Sequence, residues 1–530
     1  MGKSIKSKEA AIPSIDRLRY RNQFVLGPRF LENLASWNRT KITGSIVLST
    51  HPELNVCQAV NDGKSITLIG FMLDPENPLA GDADIVNGLI RDFTDFQQLI
   101  NGTKRFGGRW AIIAKAGNGV ELFNDPAGLR QIFYTDPRKT RDLWCASQPG
   151  MLADILGTNM CREGIDYINS YEFRNNLEFR WPGVSTPYEE IFHVLPNHSL
   201  DLMHASCRRF WPKRALEITS LESSIEKCSS LLQGLLRSAS QRFDLALGVT
   251  SGLGSRVVLA ASNGLNNGLS YMTVRRIGMA DNHSDIAIPA QLLSRHGLPH
   301  DVVVSSLIID RDFLNIFRNN TAISHTVYAS DANAIRKYYS GKHGRPFVAV
   351  TGSGSKIARS SFRAETRKPA HKAITPEDLA SLQQMGNSNY VIRSFERWIS
   401  GMENTHGYDI LDIFDWEQGH GNWLAMRHLE FDIAWKEIIT PFNCRELLEN
   451  MLSVDRKHRE PPDYELYYSL ISKLWPELLD YPVNPHKNIL VNRNNDPVKN
   501  KDLRNEMPDS VKKPLNKIQN ALDLLFPFLH

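Results

Sequence analysis

The strongest constraint on the fold is an alternation of short apolar runs with helical segments that begins near residue 243. The run 243–249 (F-D-L-A-L-G-V) is followed by a glycine/serine turn and then by residues with helical spacing. The runs 269–274, 301–305 and 346–350 repeat this order further along the chain. Strands that alternate closely with helices form βαβ units, whose strands lie parallel in one sheet. The sequence therefore predicts an α/β domain with a parallel sheet in the second half of the chain.

The first half of the chain has a different pattern. From about residue 40 to 210, short runs rich in Val and Ile are separated by turns that contain Gly, Pro and Asn. Runs of this kind, such as 65–71, 110–114 and 119–123, predict strands, and one helix is predicted across 84–99. The pattern indicates a β-rich layered domain with some helix.

Composition excludes several classes of protein. The 530 residues are 42% hydrophobic and 23% charged, which is typical of globular domains. The 62 basic and 58 acidic residues give a net charge of +4, too balanced for electrostatic binding of nucleic acid. The sequence contains no run of 18 apolar residues, so no membrane span is predicted. The six widely spaced cysteines predict neither a disulfide framework nor a metal site, so we expect a reducing, cytoplasmic setting.

The change of pattern near residue 215 divides the chain. We predict a first domain over 20–212, a second over 213–485, and a polar tail over 486–530 that ends in the apolar run L-D-L-L-F-P-F-L-H. The sequence leaves the oligomeric state open, with a homodimer as one possibility.

The first glycine/serine turn is T-S-G-L-G-S-R, Thr250 to Arg256. Small residues at a strand-to-helix junction let backbone N–H groups approach an anion, and the helix N-terminus adds partial positive charge. Thr250, Ser251 and Ser255 offer hydroxyl groups, and Arg256 offers a full charge. A phosphate site and a plain tight turn are both compatible with this motif.

A second turn, T-G-S-G-S-K from Thr351 to Lys356, follows the strand predicted at 346–350. In open parallel sheets, ligands bind beyond the carboxyl ends of the strands, where neighbouring turns face each other. The two turns therefore predict opposite sides of one nucleotide crevice. Neither turn has the G-K-[ST] ending of a Walker loop.

The order of these motifs resembles the asparagine synthetase family, which includes asparagine synthetase B, the β-lactam synthetases and the lasso-peptide cyclases. The resemblance also rests on R-F-G-G-R-W-A-I-I-A, on F-N-D-P-A-G-L-R-Q-I-F-Y and on E-I-I-T-P-F-N at 437–443. It implies an N-terminal Ntn-type α-β-β-α sandwich. A Rossmann-like, adenine-nucleotide α-hydrolase (ATP-pyrophosphatase) domain would follow the sandwich.

The resemblance also implies a reaction and a set of site residues. In the family, ATP adenylates a carboxylate, pyrophosphate leaves, and an amine attacks to form an amide. The substrate here would be a small-molecule or peptide carboxylate, and ATP the cofactor. The matching phosphate positions are Thr250, Ser251, Gly252, Leu253, Gly254, Ser255, Arg256, Thr351, Gly352 and Ser353, and the positions near the adenine are Val249 and Val274.

The chain departs from the family at the positions that carry catalysis. Glutamine-using members expose an N-terminal cysteine, whereas this chain has Gly2 and its first cysteine is Cys57, so glutamine hydrolysis is not expected. The family's magnesium ligands correspond to Gly254 and Lys356. Magnesium prefers carboxylate and water oxygens, and two carboxylates with Mg²⁺ sum to zero charge, whereas Gly254 with Lys356 sums to +1.

Two hypotheses follow from these departures. In the first, the chain is an amide-forming ligase in which Lys356 replaces the metal and Glu437 serves as the acid of the ring-forming members. In the second, the chain is a catalytically decayed relative, a pseudoenzyme that binds a nucleotide or anion or acts as a scaffold. The alternatives without a functional role are a Lys356 side chain extended into solvent and a Glu437 carboxylate on a helix surface.

Overall fold

The computed structural model describes residues 15–265, 268–366, 368–369 and 372–485, so the predicted tail 486–530 lies outside the described residues. The strands are Phe24–Gly27 (β1), Asn38–Lys41 (β2), Val47–Thr50 (β3), Val56–Asn61 (β4), Lys64–Leu73 (β5), Gly107–Ala116 (β6), Gly119–Asn124 (β7), Phe133–Thr135 (β8), Cys145–Ala146 (β9), Ile191–His193 (β10), His198–Asp201 (β11), Ser206–Arg209 (β12), Leu245–Gly248 (β13), Leu269–Arg275 (β14), His300–Val304 (β15), Val348–Val350 (β16) and Glu437–Ile439 (β17).

The α-helices are Asp82–Asp92 (α1), Phe96–Gly102 (α2), Pro137–Thr140 (α3), Pro149–Leu156 (α4), Arg162–Ile168 (α5), Tyr171–Asn175 (α6), Leu221–Arg242 (α7), Leu253–Ala261 (α8), Ser284–Arg295 (α9), Arg311–Asn319 (α10), Ala329–His343 (α11), Ser361–Thr366 (α12), Pro376–Leu382 (α13), Asn389–Ser400 (α14), Ile410–Phe414 (α15), Ala425–Phe431 (α16), Arg445–Leu452 (α17) and Glu465–Leu474 (α18). A π-helix, Asp415–Leu424, joins α15 to α16.

The first half forms a layered sandwich. Within the described residues it contains two six-stranded antiparallel sheets, in the orders β10-β8-β9-β1-β3-β2 and β12-β11-β7-β6-β5-β4. Alternation along β6 shows how they stack: Ala111 and Ile113 pack in the core shared by both sheets, whereas Ile112 and Ala114 face the helical side. Helices α1 and α2 cover that outer face, and α4 covers the other sheet. The predicted α-β-β-α sandwich is confirmed.

The second half is built on a parallel sheet. In the described part of the chain it has five strands in the order β15-β14-β13-β16-β17, and every neighbouring pair is parallel. The first strand, β13, lies in the middle, and the chain winds outward from it in both directions. This order is that of a doubly wound, Rossmann-like sheet, whose switch point lies between β13 and β16. The predicted parallel-sheet architecture is confirmed, while the domain boundaries remain predictions.

One local prediction was wrong in detail. The helix predicted across 84–99 is interrupted, because Asp95 caps a second helix by accepting a 2.9 Å hydrogen bond from the Gln98 N–H. Helix α7 is capped by Ser220, whose hydroxyl accepts from the Ser223 N–H. The neighbouring Thr219 hydroxyl lies 2.7 Å from the Ser453 hydroxyl and helps to join α7 to α17.

No helix in the described ranges combines the length and the apolar character that crossing a bilayer requires.

Candidate functional site

The two glycine/serine turns lie side by side at the carboxyl ends of β13 and β16, and their backbones are in contact. A Cβ atom added to Gly352 would lie 2.3 Å from the carbonyl carbon of Gly254. A Cβ atom added to Gly254 would lie 2.5 Å from the Gly352 carbonyl oxygen and 2.4 Å from the Ser355 hydroxyl oxygen. The space between the turns is therefore filled, and an aspartate at position 254 would not fit without movement of the backbone.

Protein groups already occupy donors of the first turn. The backbone N–H and the hydroxyl of Ser251 both donate to the carboxylate of Asp285, at 2.9 and 2.6 Å. The N–H of Leu253, in the first turn of α8, donates to the side-chain oxygen of Asn484 at 3.3 Å. A carboxylate of the protein thus lies where the turn was predicted to receive a phosphate, which agrees with the preference of helix N-termini for negative charge.

The hydroxyl groups of the turn bond to one another. The Thr250 and Ser255 hydroxyl oxygens lie 2.9 Å apart, and the Gly252 N–H donates to the Thr250 hydroxyl at 3.1 Å. The Ser255 hydroxyl also lies 3.0 Å from the Gly252 carbonyl oxygen. These contacts close the loop on itself, as in the alternative of a tight structural turn.

The guanidinium of Arg256 does not face the turn as a phosphate ligand would. The side chain is fully buried and donates to the carbonyl oxygens of Leu478, Tyr481 and Pro482 at 2.5, 3.1 and 3.1 Å. Burial lowers the pKa of this guanidinium to about 10. Arg256 therefore ties α8 to the segment after α18, and its phosphate role stays a prediction that these three bonds do not favour.

Lys356 is exposed, and its Nζ lies 5.7 Å from the centre of the Trp423 ring, a cation–π contact. This position matches the alternative of a solvent-exposed side chain more closely than that of a buried substitute for a metal ion. The residues at the two family magnesium positions do not fit that ion, because one lacks a side chain and the other is a cation. Across the described residues, no cluster of three or more His, Cys, Asp or Glu side chains is suited to a metal.

Glu437 is part of a buried ionic network between the two halves of the chain. Its carboxylate accepts from Arg130 at 2.6 Å and from Arg109 at 3.0 Å, and Arg109 also donates to Asp432 at 2.6 and 2.9 Å. Both arginines belong to the sandwich, on β6 and after β7. The helix-surface alternative for Glu437 is wrong, because the residue begins β17 and pairs with the sandwich, whereas its role as a proton-transfer acid stays a prediction.

The same network perturbs the titration of its acids. Burial raises the pKa of Asp432 to about 6, against the opposing effect of Arg109. Burial acts in the same direction on Glu437, but Arg130 and Arg109 outweigh it and hold the pKa of that carboxyl below its usual value. The two arginines lie within the motifs R-F-G-G-R-W and G-L-R-Q, which predict that they belong to the sandwich. No local pattern in the sequence identifies Asp432 and Glu437 as their partners.

The residues directly before β1 are also buried against the parallel-sheet half. The Gln23 amide donates to the Asn320 carbonyl oxygen at 2.7 Å, and the Asn22 amide donates to the Lys436 carbonyl oxygen at 2.9 Å. The side chains that precede β1 are therefore hydrogen-bonded to the parallel-sheet half of the chain.

A pocket of about 190 Å³ lies beside the turns, against the sheet and under α16. Val274, Thr351 and Ser353, all predicted site residues, line it together with Arg427 and His428, which were not predicted. Val249 does not line this pocket; its side chain is buried in the core on the α8 side, and its N–H donates to the Met272 carbonyl oxygen at 2.8 Å.

Two of the polar side chains that line this pocket have no hydrogen-bond partner within the described ranges. The hydroxyl oxygen of Thr351 and both ring nitrogens of His428 are buried without a hydrogen bond there. Burial, reinforced by nearby guanidinium groups, holds the pKa of His428 well below its usual value, so the imidazole is neutral. Buried polar groups are normally paired. Unpaired ones that line a cavity make it the candidate binding site.

Arg427 also lines this pocket. Its guanidinium lies 4.5 Å from the Tyr328 ring centre and 5.8 Å from that of Phe431, and no carboxylate of the described chain forms an ion pair with it. The adjacent R-H pair in W-L-A-M-R-H-L-E matches no motif, and a basic pair inside an otherwise apolar helix was the one available signal.

Layer order and strand order define the class of fold: an α-β-β-α sandwich followed by a Rossmann-like, doubly wound parallel sheet. No protein-family model matches the chain, and no curated protein matches it. Among solved structures, it is similar to the glutamine phosphoribosylpyrophosphate amidotransferase of B. subtilis complexed with ADP and GMP, at 12% identity over 65% of this chain and 73% of that one, with a TM-score of 0.23.

Two further solved structures are similar. One is the U34-tRNA thiolase of Methanococcus maripaludis, at 10% identity over 58% of this chain and 76% of that chain, with a TM-score of 0.22. The other is the glutamine-dependent NAD⁺ synthetase of Acinetobacter baumannii in complex with ADP, at 10% identity over 49% and 55%, with a TM-score of 0.18. At a coarse level the neighbours are thus a transferase, a thiolase and a synthetase. The fold class is assigned from the order of the strands and layers in this structure.

Proposed function

We propose that the chain is an asparagine-synthetase-like protein that has lost ATP-dependent amide formation and binds a small anion or nucleotide in the pocket beside Thr351. The observation that carries this proposal is the backbone contact between Gly254 and Gly352. Gly254 is one of the two positions that the resemblance assigns to the magnesium ligands of the family, and the contact leaves no room there for a carboxylate side chain.

Charge and hydrogen bonding support the same proposal. A triphosphate at the first turn would have to displace Asp285 from the Ser251 donors, or lie beside that carboxylate. Two like charges about 4 Å apart repel by about 4 kcal/mol at an effective dielectric constant of 20. A magnesium ion would ordinarily offset such repulsion, but neither Gly254 nor Lys356 offers it a side-chain oxygen ligand.

The second candidate is the ATP-dependent amide ligase itself. It is favoured by the strand order and by the two turns at adjacent carboxyl ends, where doubly wound sheets bind nucleotides. In that case a small-molecule or peptide carboxylate would be adenylated and attacked by an amine. Glutamine would not supply the nitrogen, because Asn22 and Gln23 are bonded where a free N-terminal cysteine would be needed.

Calorimetric titration with ATP, with and without Mg²⁺, and an ATP–pyrophosphate exchange assay with a panel of carboxylates separate the two candidates. We expect no magnesium-dependent ATP binding and no exchange above that of Gly352→Asp, purified identically as a control for contaminating enzymes. Magnesium-dependent binding at micromolar Kd, with exchange that the control lacks, would establish the ligase and refute the proposal.

Three sequence predictions stand beside this function as proposals: a cytoplasmic location, the absence of a nucleic-acid partner and a homodimeric state. Fractionation, a nucleic-acid shift assay and light scattering respectively test them.

A further inference from the structure

We propose that two copies of this chain associate through β15, the edge strand of the parallel sheet, which pairs antiparallel with its own copy across a twofold axis at Val302. The two parallel sheets would then join into one continuous sheet. This inference goes beyond the proposed function, because it assigns a surface to the homodimer that the sequence leaves open and needs no ligand in the pocket beside Thr351.

The two edges of the parallel sheet differ in how far the protein covers them. All three residues of β17, at one edge, are buried, and Glu437 pairs there with arginines of the sandwich. At the other edge, Val303 alone is buried among the five residues of β15, and no further strand of the described chain pairs with it. An edge strand presents unpaired N–H and C=O groups, which are a template for pairing with another strand. The uncovered edge is therefore the one available to a partner.

The composition of β15 does not protect it from such pairing. Edge strands that stay free commonly carry charges or proline, and β2, an edge of one sandwich sheet, carries exposed Arg39 and Lys41. The sequence of β15 is H-D-V-V-V, without proline, lysine or arginine. Its carboxylate, Asp301, is neutralised within its own chain, because it accepts from Lys342 at 2.5 Å. The strand therefore brings no unpaired charge to an interface.

Exposed apolar side chains lie at the end of this edge. They are Val304, Leu307, Ile308 and Val327, each between 57% and 83% exposed. The segment that carries the last of them adjoins the loop after β15, because the Ser330 hydroxyl donates to the Ser306 carbonyl oxygen at 2.7 Å. Neighbouring apolar side chains on a surface mark interaction sites, and their removal from water is the main favourable term in association.

The strand is also compatible with its own copy. With a twofold axis at Val302, an antiparallel pair places Asp301 opposite Val303 and His300 opposite Val304. Like charges directly opposite one another destabilise a strand pair, and this register brings none together. The β-branched valine at the axis meets a second valine, a residue type that favours strands. Because the strand supplies both sides of a closed interface, we assign a second copy of this chain as its partner.

Sedimentation velocity of the full-length protein tests the association. We expect a dimer at micromolar concentration, and Val304→Lys and Ile308→Lys should each raise its dissociation constant at least tenfold, because lysine at an edge opposes strand pairing. Both side chains are exposed, so both variants should fold, which circular dichroism verifies. Val60→Lys is the matched control: Val60 is 75% exposed on β4, an edge of the sandwich, and its replacement should change the constant less than twofold.

Val302→Cys tests the register. Directly opposite residues of an antiparallel pair have Cα atoms about 4.5–5.5 Å apart, within the roughly 4.4–6.8 Å that a disulfide spans. Oxidation should therefore join two copies through the substituted positions, as identified by peptide mass spectrometry. Val304→Cys is the control: its side chain is more exposed, but its copy would lie four residues along the strand, about 13 Å away, so it should not cross-link.

Three results would each overturn the proposal: a chain that stays monomeric at tens of micromolar, unchanged association in both lysine variants, or no cross-link in Val302→Cys. Equal cross-linking of Val302→Cys and Val304→Cys would also overturn it, because the proposed register permits only the first. None of these results bears on the pocket, so the proposed anion or nucleotide binding stands or fails separately, by the titrations with ATP.

Discussion

A 2.6 Å hydrogen bond joins the guanidinium of Arg130, in the sandwich, to the carboxylate of Glu437, at the start of the last strand of the parallel sheet. Both side chains are almost completely buried, and Arg109 binds the second carboxylate oxygen. The ionic network thus joins the sandwich to the parallel-sheet half of the chain. Removal of one member of such a network leaves a buried charge without its partner.

Glu437→Gln should therefore destabilise the protein by about 3–5 kcal/mol, because two buried guanidinium groups lose a counter-charge. Glu189→Gln is the matched control; its ion pair with Lys139 is exposed, and we expect little change in Tm. Thermal unfolding followed by circular dichroism measures both. An unchanged Tm for Glu437→Gln, with loss of ligand binding or turnover, would instead indicate a functional role for this acid.

Gly254→Ala should cost about 1–3 kcal/mol, since the new methyl group would meet the Gly352 carbonyl oxygen at 2.5 Å. Gly341→Ala provides the contrast: no atom lies within 4 Å of its added Cβ, and alanine is the better helix former, so stability should rise by about 0.5–1 kcal/mol. Chemical denaturation of both variants tests the closed contact. Equal effects would show that the turns are apart in solution.

The same contact predicts the fate of an attempt to rebuild the family's metal site. Gly254→Asp combined with Lys356→Glu supplies the missing carboxylates, but the larger side chain at position 254 needs the two turns to separate. We expect a lower Tm and no magnesium-dependent ATP binding. A gain of magnesium-dependent pyrophosphate exchange would mean that the turns open readily and that only the carboxylates are missing.

Arg256→Met should loosen the segment after α18, because three carbonyl oxygens, those of Leu478, Tyr481 and Pro482, lose their shared donor. The expected cost is about 2–4 kcal/mol, with faster amide hydrogen exchange across 476–485. Arg237→Met, on the exposed face of α7, is the control and should leave exchange there unchanged. A role in phosphate binding alone predicts normal exchange in the Arg256 variant.

His193 makes stability depend on pH. Its ring stacks on Phe133 with centroids 4.4 Å apart, and burial, with a smaller effect of His198, lowers its pKa to about 3. The unfolded chain takes up a proton as the pH falls through about 6.5, and the folded chain does so only near pH 3. The stability linked to this group is therefore present above pH 6.5 and is lost as the pH falls toward 3.

His193→Phe keeps the ring stack and removes this titration. Between pH 7.5 and pH 5, we expect the variant to lose about 2 kcal/mol less stability than the unaltered protein. Urea unfolding at the two pH values measures the difference, and the pH 7.5 data alone report any change in packing. The same pH dependence in both proteins would show that His193 is accessible to protons when folded.

The strands and the change from a β-rich half to an α/β half could be read from local patterns, because strands and helices leave periodic signals in the chain. The apolar runs at 65–71, 110–114 and 119–123 lie within β5, β6 and β7, and the turn after 243–249 leads into a helix as expected. The helix predicted across 84–99 was wrong in its interior, because Asp95 caps a second helix through a side-chain hydrogen bond that a periodicity argument does not weigh.

The structure places the predicted site residues in two different environments. Motif order placed Val274, Thr351 and Ser353 near one another, and these residues do line one pocket. Motif order also suggested ligand roles for Arg256 and Glu437, which are bonded to distant segments of the chain. Arg427 and His428 belong to no motif, and only the structure shows that both line the pocket and that the His428 ring has no hydrogen bond within the described residues.

The sequence by itself determined most of the secondary structure, the two-part architecture and the lack of carboxylates at positions 254 and 356, because each depends on residue types close together along the chain. Only the tertiary structure decided which charged groups are neutralised. Glu437 is more than 300 residues from both of its arginines, and Asp285 reaches Ser251 across 34 residues. Pairing between such groups depends on how the layers pack, and local sequence holds no record of that distance.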